Sequence, residues 1–130
     1  MLSSARAQGY QVILAGDLNG VFNPSCDRFP TTTSVVPDTA LMRLLAHQEL
    51  IDTFHMVYPR EHSLRSMTRI NPADPSSGSC IDYILASPEL ALHATHSQVV
   101  TVPGLATDYH LLFCSFALGM LTKCVCHSSL

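Results

Sequence analysis

The sequence predicts an α/β domain built from several short strands and one main helix. Three observations carry that expectation. Apolar runs of strand length recur along the chain, turn-forming residues bound most of them, and one stretch repeats its leucines at helical spacing. Residues 10–18 read as a buried strand, because Val12-Ile13-Leu14-Ala15 is an apolar run between Gly9 and Gly16. Residues 20–37, rich in Pro, Ser and Thr, read as a loop long enough to carry function. Pro37-Asp38-Thr39 supplies a helix start. Leu41, Leu44 and Leu45 then share a face that excludes Arg43, Gln48 and Glu49. Residues 50–54 close that helix or begin a turn of another, and Pro59 ends it.

Residues 63–70 form the next expected strand, and 71–79, with two prolines, a glycine and three serines, a turn or loop. Residues 80–86 form a strand with Ile81, Tyr83 and Leu85 on one face and Asp82, Ile84 and Ala86 on the other. Strands over 97–102 and 109–118, separated by a loop at 103–107, complete the pattern.

At 130 residues the chain holds one domain at most. Its 47% hydrophobic and 13% charged content excludes a disordered or tail-like composition. No apolar run approaches the roughly 18 residues a membrane span needs. Residues 1–9 lack the basic start and apolar centre of a signal peptide, so an intracellular setting, cytoplasmic or nuclear, is expected. Five cysteines, an odd number, do not suggest a secreted disulfide framework. Cys124-Val125-Cys126-His127 places three soft ligands together, short of the four a structural zinc site takes. The remaining histidines, His47, His55, His62, His93 and His96, show no metal-ligand spacing. Formal net charge is -3, and only Arg60, Arg65 and Arg69, with His62, cluster, which argues against a strong electrostatic grip on nucleic acid.

Three segments point to chemistry. Gly16-Asp17-Leu18-Asn19 ends the first strand, and side chains two apart on an extended segment face the same way, so Asp17 and Asn19 can converge. Ile81-Asp82-Tyr83-Ile84-Leu85-Ala86-Ser87 and Thr107-Asp108-Tyr109-His110 each set another acidic residue at the start of an apolar stretch. A carboxylate between Ile81 and Tyr83 is costly to bury alone, which suggests that Asp82 is paired.

In this order the segments resemble the endonuclease/exonuclease/phosphatase superfamily, whose second half carries G-D-[FL]-N, R-I-D-Y-[IV]-L-x-S and [ST]-D-H-x-x-[VL]. The resemblance runs from about Gln11 to Phe116. Asn23-Pro24, Asp27-Arg28, Leu50-Ile51-Asp52-Thr53-Phe54, Tyr58-Pro59 and Met67-Thr68 add agreement and make the spacing most like LINE-type retrotransposon endonuclease domains. It implies half of a four-layer α/β/β/α sandwich, with a mixed, mainly antiparallel sheet and one main helix. Residues 1–118 would be the C-terminal half of the domain, and 119–130 a tail outside the fold.

The implied activity is Mg²⁺-dependent phosphodiester hydrolysis of DNA by a metal-activated water, with Mn²⁺ as an alternative metal. In that scheme Asp17 orients or deprotonates the water and Asn19 donates to a phosphate oxygen. Asp108 binds the metal, Asp82 orients a catalytic histidine, and Thr68 contributes to substrate binding. The histidine position is occupied by Tyr109, with His110 following, and Cys80 stands where the family has Arg. The family's first half, which supplies a metal-binding Glu, has no counterpart here, so this chain alone is expected to be weak or inactive. Implied partners are DNA and that missing N-terminal half, with no membrane and no small-molecule cofactor. Two alternatives stand beside this reading: a non-catalytic module binding nucleic acid or protein, and a phosphatase acting on phosphoinositides or small phosphoesters.

Overall fold

The computed structural model describes residues 2–31, 43, 45, 47–117 and 119. The expected helix start at 37–39, Leu41 and Leu44, and the tail with Cys124, Cys126 and His127 lie outside the described residues. Residues 43, 45 and 47 are helical, and Leu45 is buried in the core.

A short helix, α1 (Leu2–Ala7), precedes β1 (Ile13–Asp17). The sequence pattern does not announce α1. It is tied to the turn after the central helix by Arg6 Nη1, which donates to the Gln48 carbonyl at 2.7 Å. The helix α2 (Pro24–Asp27) follows, with Asn23 capping its start through the Ser25 N–H and Pro24 in its first turn. Then come β2 (Arg28–Phe29), β3 (Ile51–Asp52) and α3 (Thr53–Val57). Residues 50–54 therefore begin a new strand and a new helix rather than closing the old one. Asp52 makes the switch, since its Oδ1 accepts from the Phe54 N–H at 2.9 Å and caps α3.

The expected strand at 63–70 is shorter than its pattern. A 3₁₀ turn at Leu64–Ser66 takes its first half, and β4 (Arg69–Asn71) only its end. The expected loop at 71–79 is a strand, β5 (Asp74–Ser79), forming a hairpin with β4. Its composition misleads because what holds it is pairing with β2 and β4, close approach and local bonding. A Cβ on Gly78 would come within 2.9 Å of the Arg69 carbonyl oxygen and Met67 Cβ. Asn71 and Asp74 side chains accept from the Ala73 and Ser76 amides and shape the turn. The chain closes with β6 (Asp82–Ala86), α4 (Pro88–Ala91), β7 (Ala94–Val100) and β8 (Leu111–Phe116).

Among the described residues the strands form three antiparallel sheets, in the orders β1-β6-β3, β2-β5-β4 and β7-β8. The architecture is mixed α/β with mainly antiparallel sheet, as the sequence predicts. In the first sheet Ile13 faces Ala86, Leu14 faces Leu85 and Asp17 faces Asp82. Alternation then puts Leu14, Tyr83 and Leu85 on one face. That face is packed: Tyr83 and Leu85 join Leu45, Leu50 and Cys80, with Leu2, Val12, Leu18 and Phe22 closing around them. The other face carries Ile13, Ala15 and Asp17, all exposed on β1, while at its far end Ala86 is buried in a second cluster with Leu90 and Ala91, against which Ile51, Met56 and Phe116 pack. On β8, Leu111 and Phe113 are likewise exposed. No helix among the described residues is long and apolar enough to cross a membrane.

The two faces should respond differently to truncation. Leu85→Ala removes a fully buried side chain and is expected to cost about 2–5 kcal/mol in urea unfolding. Ile13→Ser, on a residue 47% exposed, should stay within about 0.5 kcal/mol of wild type. Equal losses would mean that the β1 face is covered in solution.

Candidate functional site

The three sequence segments meet through one chain of contacts. Asp17 ends β1 directly opposite Asp82 on β6, so the two carboxylates project from the same open face. The strand stops there. Asn19 has φ 48, a left-handed conformation that Asn tolerates better than most residues, and its N–H donates to Asp17 Oδ1 at 2.7 Å. Alternation along an extended strand therefore does not govern Asn19; an Asp-capped turn places it instead.

Asp82 is joined to the third segment by Thr68. The buried Thr68 Oγ1 accepts from the Ile81 and Asp82 amides at 3.1 and 3.2 Å. The Thr68 carbonyl accepts from the His110 N–H at 2.6 Å, and the Asp108 carbonyl from the Ile70 N–H at 2.7 Å. Thr68 thus positions the Asp82 segment against the His110 segment through its hydroxyl and carbonyl oxygens. His110 Nδ1 sits 3.0 Å from the Met67 carbonyl, and Asp108 Oδ2 accepts from Arg69 Nε at 3.2 Å. Tyr109 is exposed, with the Arg69 guanidinium 5.4 Å from its ring centre.

Neither Tyr109 nor His110 satisfies Asp82, whose buried Oδ2 has no hydrogen-bond partner. Burial, and secondarily the facing Asp17 carboxylate, hold the Asp82 carboxyl above its ordinary range against the lowering effect of the Thr68 hydroxyl. Two carboxylates facing each other with an orphaned oxygen make a site whose charge is incompletely answered. Cys80, where the resemblance implies Arg, is a core residue: its Sγ lies 3.5 Å from the Ser66 carbonyl, and burial pushes its thiol up.

A second group lies on the opposite face of the sheet, where Asp52 pairs with Leu85. Asp27, Asp52 and His55 each bring a ligand atom within 4.8 Å of the others, an arrangement consistent with a metal site. His55 Nδ1 is 2.7 Å from Asp52 Oδ2 and 3.6 Å from Asp27 Oδ1. Its hydrogen bond with Asp52 raises the His55 pKa, while burial raises that of Asp27. Histidine spacing alone missed this group because the ligands are a carboxylate three residues before His55 and another brought in by α2. The i, i+3 pair Asp52 and His55 was its only local signal.

No protein-family model matches the sequence, and no curated protein matches it. Solved structures do. The chain is similar to a 3'-5' exonuclease, NExo, from Neisseria meningitidis (20% identity, TM-score 0.65), covering 87% of this chain and 48% of that one. It is similar to an AP endonuclease from Archaeoglobus fulgidus (17% identity, TM-score 0.66), covering 90% and 51%. A third is the 3' phosphatase NExo (D146N) from Neisseria, bound to a product DNA hairpin (18% identity, TM-score 0.59), covering 88% and 49%. The mixed α/β, mainly antiparallel fold of this chain matches about half of the fold of these structures. At these identities the likeness is one of fold, and the chain spans about half the length of the structures it matches.

Thr68 provides a test of how the segments are joined. Thr68→Val leaves two buried amides without their acceptor and is expected to cost about 1–3 kcal/mol in chemical unfolding. Thr68→Ser, which keeps the oxygen, should recover most of that loss. Equal costs would assign the effect to packing rather than to the two hydrogen bonds.

Proposed function

We propose that this chain is the second half of a Mg²⁺-dependent phosphodiesterase acting on DNA, completed by a first half that covers the open sheet face. The observation that carries this reading is the pair Asp17 and Asp82, set in register on that face with Asp82 Oδ2 buried and unpartnered. An all-oxygen donor set of this charge fits a hard divalent cation. Asp82 would hold it beside Asp17, with waters filling its remaining positions, and Asp108 is the further ligand that the motif resemblance implies. Bound there, Mg²⁺ would neutralise the charge that develops on the transferring phosphoryl group and lower the pKa of a water.

The chain's own residues contribute positioning and proton transfer. Asp17 accepts the proton of the attacking water, held in place by the Asn19 amide. The Asn19 carboxamide donates to a phosphate oxygen without adding negative charge. Thr68 fixes the backbone of Asp82, and Arg69 holds Asp108 while stacking on Tyr109. DNA as the substrate is supported by the similar NExo structure bound to a product DNA hairpin. The finer likeness to LINE-type retrotransposon endonucleases rests on motif spacing, from Asp27-Arg28 to Met67-Thr68.

A second reading, a non-catalytic module that binds nucleic acid, is favoured by Tyr109. A surface Tyr in place of an imidazole removes a group able to carry charge near neutral pH.

Nicking of supercoiled plasmid in Mg²⁺, by the chain alone and with a separately expressed first half, separates the two. The proposal expects metal-dependent nicking by the pair that falls about 100-fold or more in Asp17→Ala. Nicking untouched by that substitution would contradict it. Salt-sensitive DNA retention with no nicking in either setting would establish the binding module instead.

A further inference from the structure

We propose that Asp27, Asp52 and His55 form a three-ligand site, its fourth position open to water from the adjoining cavity, for a borderline transition-type dication, Zn²⁺ above all, separate from the Asp17 and Asp82 pair. The site is assembled from two helix ends. Asp27 closes α2, Asp52 caps α3, and His55 follows one turn into α3. A cavity of about 320 Å³ reaches it, with Asn23, Cys26 and Leu50 also on its wall.

What marks the cluster as more than a buried polar network is Asp27. Its side chain is only 1% exposed, and its two oxygens are treated unequally. Oδ2 accepts from the Asn23 N–H at 2.7 Å and lies 3.2 Å from the Tyr83 hydroxyl. Oδ1 is buried with no hydrogen-bond partner and points at His55 Nδ1, 3.6 Å away. A carboxylate oxygen left bare at that depth is costly unless a cation meets it. With a neutral imidazole the three groups carry two negative charges. A proton on His55 answers one of them, and a dication answers both.

The donor set selects the ion. One imidazole nitrogen with two carboxylate oxygens suits zinc, whereas Mg²⁺ prefers oxygen alone and retains its waters. A bound ion would take the place of the proton shared by His55 Nδ1 and Asp52 Oδ2, and would clamp α2 to α3 across the packed face of the sheet. This role does not rest on the phosphodiesterase reading.

The test uses the full chain with Cys124→Ser and Cys126→Ser in every sample, so that the tail thiols do not contribute. Zinc chloride is titrated by calorimetry, and thermal melts are recorded with zinc and with magnesium. His55→Arg is the informative variant, because it keeps a cation between the two carboxylates while removing the ligand. One equivalent of zinc should bind the parent and raise its Tm, with magnesium giving a smaller shift at the same concentration. His55→Arg should weaken zinc binding at least tenfold, and Asp17→Ala should leave it unchanged. Absence of zinc binding by the parent, equal binding by His55→Arg, or an equal response to magnesium would overturn the proposal. The nicking assay reads the other face of the sheet, so either idea can fail without the other.

Discussion

The register between β1 and β6 sets the terms for the rest of the molecule. Pairing Leu14 with Leu85 sends the large apolar side chains of the sheet into one packed layer beneath the helices. A shift of one residue would turn Asp17 and Asp82 into that layer, where neither could keep its charge without a partner. The same register brings the two carboxylates directly opposite each other on the other face, where like charges oppose pairing. Burial of Leu85, Tyr83 and their neighbours outweighs that repulsion, so packing on one side holds a charged pair in place on the other.

The open face makes sense of the composition. Ile13 is exposed on the first sheet, and Leu111 and Phe113 on the separate β7-β8 sheet, in a chain that is 47% hydrophobic. Sheets of this kind normally cover both faces, or keep one polar. The chain spans about half the length of the similar solved structures. Covering the open face would also dehydrate the Asp17 and Asp82 pair, strengthening every charge interaction there.

Several elements were legible in the sequence because local pattern and tertiary environment agree on them. The apolar runs of β1, β6 and β8 fall where alternation or a bounded run puts them, and the two faces of β6 divide as expected. The hairpin strand β5 was not legible, since Pro75, Ser76, Ser77 and Gly78 spell a loop. Pairing with β2 on one side and β4 on the other makes a strand of it, and Gly78 leaves room for Met67 and Arg69 beside it. The bend at Asp52 was hidden for a related reason: one side chain ends β3 and caps α3, so helical and strand signals overlap within a few residues. At the site, the acidic residues were visible as motifs but their connections were not. Thr68 joins the Asp82 segment to the His110 segment, its hydroxyl oxygen accepting from the Ile81 and Asp82 amides and its carbonyl from the His110 N–H, an arrangement that no spacing rule encodes.

The central claim is that Asp17 and Asp82 face each other and repel, and a double-mutant cycle tests it directly. Asp17→Asn, Asp82→Asn and the double variant would be unfolded in urea at neutral pH and again at acidic pH. Asp82 has a folded-state pKa raised above its unfolded value, so its charged form lowers stability, and the loss appears as pH rises through that window. The account predicts that at neutral pH the double variant gains less than the sum of the two single gains, because one repulsion is removed only once. That coupling should vanish once both carboxyls are protonated. Additive effects at both pH values would contradict the register on which the site depends.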